Sequence, residues 1–147
     1  MIVKALSTRA WWAWAIVQNL KPYENKPRPW RSHTGPLLIH ASTTGSRADY
    51  DWACDYIERL SGRRPPPLRE LERGGIIGAV LLTGCAEPLK RSSGWRFRGD
   101  YGLALEHPIA LPFRPMKGSL APFPVRLTRR EREILTPMLR AWEARDA

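Results

Sequence analysis

The segment GGIIGAVLLTGC (residues 74–85) is the most strand-like stretch of the chain. Ile, Val and Leu fill its centre and glycines bound it, a pattern typical of a strand buried in a sheet. The apolar segment PLLIHA (residues 36–41) has the same character and predicts a second buried strand. These two segments indicate that the core of this 147-residue chain, one domain by its length, is built on a sheet.

Helices are predicted on either side of the PLLIHA strand. Residues 1–7 predict a short strand, and Ser7 is expected to cap the helix that follows it. This helix is expected to end near Leu20, because Pro22 pushes the residue before it out of the α region. A second helix is predicted over residues 48–60. Its inward face is expected to carry Trp52, Tyr56, Ile57 and Leu60.

The second half of the chain adds short strands and a terminal helix. Three strands are predicted at residues 101–106, 109–113 and 119–127. A capping box of Thr128 and Glu131 starts the last helix, and a proline further on either kinks it or begins a second helix. Its apolar stripe consists of Ile134, Leu135, Met138, Leu139 and Trp142.

Together these elements predict an α+β fold. Several short strands with turn signals and only two or three helices are typical of a small β-barrel flanked by helices, here with an added C-terminal helix. Residues 1–127 are expected to form the barrel domain, and residues 128–147 a helical extension packed on the same domain.

The chain is strongly basic. It carries 24 Lys and Arg against 14 Asp and Glu, a net charge of +10, with a pI near 10.4. This balance favours a polyanionic partner, and Arg, which outnumbers Lys, suits phosphate groups and stacking on bases. The apolar run at residues 10–17 is too short to span a bilayer, so neither a membrane anchor nor a signal peptide is expected.

The sequence predicts a cytoplasmic protein that needs no metal or cofactor. Cys54 and Cys85 lack metal-ligand spacing and make no disulfide framework. His33, His40 and His107 are scattered, so no zinc site is expected, and His40 is interpreted as a core histidine with its hydrogen bonds satisfied. GxSxG, Walker and GxGxxG motifs are absent from the sequence.

Two loops interleave cations with aromatic rings. In the later one, Lys90, Arg91, Arg96 and Arg98 alternate with Trp95, Phe97 and Tyr101. In the earlier one, Arg28 and Arg31 flank Trp30. Guanidinium groups and flat rings suit the phosphates and bases of a single-stranded nucleic acid. The alternative is that the rings fill the core while the arginines reach into water.

The segment KPYENK (residues 21–26) places Lys21 three residues before Glu24. The two charges form either a surface ion pair at a helix end or a cation and an acid–base group that face one pocket. An exposed pair contributes only about 0–1 kcal/mol and shifts no pKa usefully. Burial therefore decides between the two interpretations.

The order of six segments is more specific than any one of them. These segments are KALSTRAWWAWAI (4–16), LKPYENK (20–26), GPLLIHAS (35–42), GGIIGAVLLTGC (74–85), GDYGLALEHPIALP (99–112) and MKGSLAPFPV (116–125). Over about residues 2 to 125 they resemble the ASCH domain family of the PUA-like superfamily. The resemblance implies a small β-barrel with flanking helices that holds RNA, or a single base, in a cleft between barrel and helices.

The resemblance also implies the residues of that cleft. The family pattern Lys-x-x-Glu-x-Arg matches Lys21 and Glu24, while Lys26 replaces the arginine and Leu20 the usual glycine. Candidate substrate-binding residues are Ser7, Arg9, Trp12, Lys26, Ser42 and Tyr101. Candidate nucleic-acid contacts are Arg28, Arg31, Lys90, Arg91, Arg96, Arg98 and Lys117. Four of these residues have a structural alternative: a core position for Trp12, the barrel wall for Tyr101, a strand end for Ser42 and a turn for Lys117.

Two kinds of function follow from the resemblance. Some ASCH proteins remove acyl groups from the exocyclic amine of cytidine with a Lys, a Thr three residues later, and a Glu; another cleaves single-stranded RNA. Here Lys21 matches that lysine, and Glu24 stands at the threonine position. One hypothesis is a metal-independent hydrolase of an N-acylated cytidine or of RNA, in which Glu24 activates water and Lys21 stabilises the oxyanion. The other is an RNA-binding module without catalytic activity.

Overall fold

The structure is a computed structural model that describes residues 1–31 and 33–145. Its helices and strands are, in chain order, β1 (Ile2–Arg9), α1 (Ala10–Val17), β2 (Tyr23–Lys26), β3 (Gly35–Ser42), α2 (Arg47–Ser61), β4 (Gly75–Ala86), β5 (Tyr101–Pro115), β6 (Phe123–Arg126) and α3 (Arg129–Arg145). A 3-10 turn over Leu68–Glu70 lies between α2 and β4.

The strands form a six-stranded mixed sheet in the order β2-β5-β4-β3-β1-β6. The pair β1–β3 is parallel, and the other neighbours are antiparallel. Over the described residues, one mixed sheet with three helices confirms the predicted α+β class. The predicted barrel is not closed, because β2 and β6 are the two edges of the sheet. In the parallel pair, Arg9 lies opposite Ser42, so the carboxyl ends of β1 and β3 meet at the same edge of the sheet.

Both faces of the sheet are covered. One core cluster packs α1 and α2 against one face, and a second packs α3 against the other. Within β3, Leu37 and Ile39 belong to the first cluster and Leu38 to the second, as the two-residue period of a strand requires. The first eight residues of β4 are all buried. This double coverage explains why the GGIIGAVLLTGC segment is continuously apolar instead of alternating.

Two of the predicted strands are one long strand. Residues 101–106 and 109–113 belong together to β5, which runs through irregular register near His107, a residue with a positive φ of 53°. The predicted segments are separated by His107 and Pro108, and Pro112 lies inside the second of them. Beyond residue 104, however, β5 pairs only with β4 among the described strands, so its outer edge needs no N–H donor at these prolines. The strand predicted at 119–127 is shortened to β6.

The predicted boundaries of the first helix are wrong at both ends. Ser7 lies within β1, so it does not cap α1; Arg9 occupies the cap position and makes no side-chain cap hydrogen bond. The helix ends at Val17 rather than near Leu20. Asn19 adopts left-handed backbone with a φ of 61°, a conformation that Asn tolerates, and this turn closes the helix before Pro22.

Two of the four residues predicted on the inward face of α2 point outward. Trp52 is 56% exposed and Leu60 is 38% exposed, whereas Ile57 is buried and Tyr56 half-buried. The buried stripe is instead Tyr50, Ala53, Cys54 and Ile57. This stripe has helical spacing as well, and it places the small side chains of Ala53 and Cys54 in the core cluster that also contains α1.

The terminal helix α3 forms as predicted. Thr128 Oγ1 accepts from Glu131 N at 3.1 Å, and Glu131 Oε1 accepts from Thr128 N at 2.9 Å, which confirms the capping box. Pro137 lies inside a single continuous helix. The predicted apolar stripe packs on the second face of the sheet. Residues 146 and 147 of the predicted extension lie outside the described residues.

Two further findings concern predictions of absence. Over the described ranges 1–31 and 33–145, no helix has the length and apolar character needed to cross a membrane. Within the same ranges, no group of three or more His, Cys, Asp or Glu side chains is arranged to hold a metal ion.

Candidate functional site

A cleft of about 820 Å³ opens at the edge of the sheet where β1 and β3 end. The end of β1, the start of α1, and β2 form one wall, and the loop that follows β5 forms the opposite wall. Its lining residues are Ser7, Thr8, Arg9, Trp12, Lys21, Glu24, Asn25, Lys26, His40, Ser42, Thr43, Thr44, Gly74, Phe97, Asp100, Met116, Lys117, Gly118, Ser119 and Leu120.

Lys21 and Glu24 form a buried ion pair in this cleft. Lys21 Nζ lies 3.0 Å from Glu24 Oε1, and the two side chains are only 1% and 6% exposed. The turn after α1 places Lys21 just before β2, and Lys21 Nζ also donates to the carbonyl oxygen of Tyr23. Its ammonium group lies 5.5 Å from the ring centroid of Trp12. The pair is therefore not the surface ion pair that was the alternative interpretation.

Opposing effects act on the pKa of Glu24. Burial raises this pKa, but the charges of Lys21 and Lys26 and the hydroxyl of Thr8 together lower it below its usual value of 4.5. Glu24 is therefore a carboxylate at neutral pH. A carboxylate is a hydrogen-bond acceptor on both oxygens, so Glu24 can accept from a donor on a bound ligand.

The cleft carries an excess of positive charge. Among the described lining residues, four are cationic and two are acidic. The cations are Arg9, Lys21, Lys26 and Lys117, and the acids are Glu24 and Asp100. Lys26 extends toward β1, where its Nζ lies 3.4 Å from the carbonyl oxygen of Ser7. Such a cleft attracts an anionic ligand or an anionic group on a larger one.

Ser7 and His40 form a second polar unit in the cleft. Ser7 Oγ lies 2.6 Å from His40 Nδ1, and His40 Nε2 lies 2.5 Å from the carbonyl oxygen of Met116. Because that carbonyl can only accept, Nε2 carries the proton in the neutral ring, and Nδ1 accepts from the serine hydroxyl. His40 is 1% exposed, so the prediction of a satisfied core histidine agrees with its surroundings.

The loop after β5 packs directly over this unit. A Cβ on Gly118 would overlap Ser7 Oγ and would lie 2.6 Å from His40 Cε1. Only glycine allows this close approach, which brings Lys117 and Ser119 to the rim of the cleft. Lys117 was predicted as a possible phosphate contact, and its position on the cleft lining is compatible with that role.

Aromatic rings form the side of the cleft near α1. Trp12 and Phe97 both line it, with ring centroids 5.9 Å apart in an edge-to-face arrangement. Asn25 fixes the loop that carries Phe97: its Nδ2 donates to Trp95 O at 2.9 Å, and its Oδ1 accepts from Phe97 N at 2.8 Å. The middle residue of the Glu-Asn-Lys stretch thus ties the aromatic loop to the strand that carries Glu24.

The structure brings together seven of the eight residues that sequence reasoning assigned to catalysis and substrate binding. The seven residues that line the cleft are Lys21, Glu24, Ser7, Arg9, Trp12, Lys26 and Ser42. Tyr101 does not; it pairs with Lys26 at the start of β5, and the guanidinium of Arg31 lies 5.3 Å from its ring centroid. The alternative reading of Tyr101, a residue of the sheet wall, describes its position.

Of the predicted nucleic-acid contacts, Lys117 alone lies among the lining residues. Arg31 pairs with Glu87 instead, and Arg96 donates to the carbonyl oxygen of Glu87 at 2.6 Å while lying over Tyr23. The remaining four are exposed outside the cleft: Arg28, Lys90, Arg91 and Arg98. Apart from Lys117, the predicted nucleic-acid contacts therefore lie outside the cleft lining.

Several lining residues escaped sequence reasoning. They are Thr8, Asn25, Thr43, Thr44, Gly74, Asp100, Met116, Gly118, Ser119 and Leu120. Most lie in loops at the ends of strands, where composition carries no signal of which loops meet in space. Asn25 had a local signal, because an amide between two charged residues of a strand has no obvious solvent role.

The comparisons with known proteins support the fold. No protein-family model matches the chain, and no curated protein sequence matches it. Among solved structures, the crystal structure of a tyrosine-to-phenylalanine mutant of ZmASCH from Zymomonas mobilis matches with a TM-score of 0.53 and 13% sequence identity. The match covers 92% of this chain and 96% of that one. The chain therefore has an ASCH-like fold, as its six segments predicted.

Proposed function

We propose that this chain is an ASCH-type protein whose cleft binds one nucleobase of an RNA or of a modified nucleoside. One observation carries the proposal: the buried pair of Lys21 Nζ and Glu24 Oε1, 3.0 Å apart, lies in a cleft that is also lined by the rings of Trp12 and Phe97. Proteins recognise unpaired bases by this combination of a ring for stacking and polar groups for the base edge.

The charged pair matches the edge of an amino-bearing base. Cytosine and adenine present an amino donor beside a ring acceptor. Glu24, whose pKa is lowered, accepts from the amino group, and Lys21 donates to the neighbouring acceptor. Because both groups are removed from water, these hydrogen bonds are stronger than they would be on the surface. Lys26 and Lys117 supply positive charge for a phosphate at the cleft rim.

The same geometry favours recognition over general-base catalysis by Glu24. A general base works best when its pKa lies near the operating pH. The charges of Lys21 and Lys26 move the pKa of Glu24 in the opposite direction, away from neutrality. We therefore assign Glu24 and Lys21 to the recognition of the base edge.

Hydrolysis is the second candidate, and the contact of Ser7 Oγ with His40 Nδ1 at 2.6 Å favours it. For an N-acylated cytidine, Ser7 Oγ bonds to the acyl carbon while His40 takes the hydroxyl proton. The carbon–nitrogen bond then breaks, the amine takes that proton, and water hydrolyses the acyl-serine ester. Lys26 Nζ, 3.4 Å from the Ser7 carbonyl oxygen, lies near the developing oxyanion.

Calorimetric titration with cytidine, adenosine, guanosine and uridine 5′-monophosphates tests the binding proposal. The Glu24→Gln variant removes the carboxylate with little change of shape, and we expect it to weaken binding of the preferred nucleotide about 10- to 100-fold, since a hydrogen bond to a charged group is lost. Glu87→Gln is the matched control, because Glu87 lies outside the cleft lining. Equal affinities of the two variants, or absence of saturable binding, would contradict the proposal.

Incubation of metal-stripped protein with 4-acetylcytidine, in parallel with a labelled single-stranded RNA, tests hydrolysis. Chromatography should show deacylation that Ser7→Ala abolishes and Ser93→Ala, a substitution in an exposed loop, leaves intact. Cleavage of the RNA alone would identify a ribonuclease. If both substrates remain intact while nucleotides bind, the protein recognises a base without reacting with it.

A further inference from the structure

We infer that Trp52 and Tyr56 form a stacking platform for a second base, so that the ligand is a single-stranded RNA of two or more nucleotides. This inference rests on the proposed function, because it requires a first base in the cleft. The name "platform" below refers to Trp52 and Tyr56 of α2. Neither ring lines the cleft, so the platform is a separate subsite.

The face that the platform offers to solvent is that of Trp52, because the Tyr56 ring has Trp52 stacked on it and the guanidinium of Arg59 over it. The rings of Trp52 and Tyr56 are stacked, with centroids 5.1 Å apart and an interplanar angle of 20°. Trp52 nevertheless remains 56% exposed, although it is the largest apolar side chain on α2. Large exposed aromatic side chains often belong to contact surfaces, because a ring offers a large apolar area together with a polar edge.

The platform is continuous with the cleft. Trp52 makes edge-to-face contacts with Trp12 at 6.4 Å and with Phe97 at 6.2 Å between ring centroids. Tyr56 contacts the same two rings at 6.4 Å and 5.6 Å. A strand whose first base lies against Trp12 and Phe97 therefore meets the platform rings next. An isolated nucleoside would leave them unused.

The platform is held in place without a ligand. The Tyr56 hydroxyl donates to the carbonyl oxygen of Gly94, and the guanidinium of Arg59 lies 4.9 Å from the Tyr56 ring centroid. Trp95 packs on the other edge of Tyr56, with centroids 6.2 Å apart. A preorganised surface loses little conformational entropy when a base stacks on it.

The charges around the platform permit a polyanion. Three carboxylates of α2 lie near Trp52, but each is paired with an arginine. The pairs are Asp49 with Arg9 at 3.2 Å, Asp51 with Arg47 at 3.2 Å and Asp55 with Arg64 at 2.8 Å. The loop before β5, which carries Phe97, also contains the exposed cations Lys90, Arg91 and Arg98. Flat rings stack on bases, and cations bind phosphates where the nearby carboxylates are already paired.

The test compares one nucleotide with four. For the preferred base, calorimetry at low salt measures the affinity of the ribonucleoside 5′-monophosphate and of the matching homotetranucleotide, for wild-type protein, Trp52→Ala and Leu60→Ala. Leu60 is the matched control, because it is an exposed apolar residue of the same helix outside the aromatic cluster. Trp52 is exposed, so its removal should not unfold the protein.

We expect wild-type protein to bind the tetranucleotide more tightly than the monophosphate. Trp52→Ala should weaken tetranucleotide binding about 5- to 150-fold, the effect of one lost base–aromatic stack, and leave monophosphate binding unchanged. Leu60→Ala should change neither. If the monophosphate binds but Trp52→Ala leaves the tetranucleotide affinity unchanged, the platform is wrong and the cleft proposal stands. If neither ligand binds, both are wrong.

Discussion

Replacement of Lys21 by methionine is the most severe test of the buried Lys21–Glu24 ion pair. Lys21→Met keeps most of the side-chain volume but removes the ammonium group that lies 3.0 Å from Glu24 Oε1 and also serves the Tyr23 carbonyl. Glu24 then becomes a carboxylate that is 5% exposed and has lost its nearest cation.

The expected loss of stability is large for a single substitution. Removing one partner of a buried ion pair costs about 3–5 kcal/mol, because the other charge stays buried and unpaired. Lys26 and Thr8 still favour the ionised form of Glu24, so we expect the lower end of this range. For a chain of this length, about 3 kcal/mol corresponds to a decrease of roughly 10 °C in Tm.

The pH dependence should change along with the stability. In the wild-type protein the pKa of Glu24 is lowered in the folded state, so its contribution to stability is present above the usual pKa of 4.5 and is lost as the pH falls through the folded-state value. In Lys21→Met, burial acts against less opposition and raises the pKa of Glu24 relative to wild type. The variant should therefore lose less stability between pH 7 and pH 4 than the wild type does.

Urea denaturation at pH 7 and pH 4 measures both effects. Arg47→Met is the matched control, since the Arg47–Asp51 pair is exposed and its loss should cost only about 0.3–0.5 kcal/mol. The double variant Lys21→Met/Glu24→Leu should regain at least half of the loss, because no buried charge remains unpaired. If Lys21→Met proves as stable as Arg47→Met, or if the double variant is less stable than Lys21→Met, the pair is not buried as described.

Three further predictions concern the supports of the site. Gly118→Ala should displace the loop after β5 and lower stability by about 1–3 kcal/mol, whereas Gly84→Ala, where an added Cβ meets nothing within 4 Å, should have little effect in the same thermal melts. Glu131→Ala should cost about 3 kcal/mol in urea denaturation, because Glu131 is 3% exposed and accepts twice from Arg114 at 2.9 Å; a loss below 1 kcal/mol would contradict the role of α3 as a docked helix. Asn25→Ala should raise amide hydrogen exchange in the loop before β5 while leaving β3 and β4 protected; unchanged exchange would mean that other contacts hold this loop.

Sequence patterns were most informative where burial is continuous. The apolar runs of β3 and β4 and the stripe of α3 predicted elements that the structure contains, because their side chains face cores on both sides of the sheet. They were least informative at irregular positions. The long strand β5 was divided at His107 and Pro108, but its prolines are tolerated because, among the described strands, only residues 101–104 of β5 pair with a second neighbour.

The outward position of Trp52 could not be read from helical periodicity. The residues 52, 56, 57 and 60 form an apolar stripe as plausible as the one observed, and only the placement of the loop before β5 decides between them. For the candidate site too, some residues could be predicted from the sequence and others could not. Local spacing and the family resemblance identified Lys21 and Glu24, but the convergence of Ser7, His40 and Gly118 depends on the parallel pairing of β1 and β3.

The positions of the basic residues in the two loops could not be predicted from the sequence. Arg31 and Arg96 occupy contacts within the protein, one to the Glu87 side chain and the other to its backbone carbonyl. A run of arginines and rings in sequence cannot show which guanidinium groups will be occupied by internal partners. The cations in the cleft come instead from β1, β2 and the loop after β5.

The most direct test of the cleft is an NMR titration of ¹⁵N-labelled protein with cytidine 5′-monophosphate and, separately, adenosine 5′-monophosphate. We expect saturable shifts of the Trp12 indole and of backbone amides around Ser7, Glu24 and Lys117, with little change in α3. Glu24→Gln should weaken these shifts, and Glu87→Gln should preserve them. Spectra that stay unchanged at millimolar nucleotide, or saturable shifts that map away from the cleft, would contradict it.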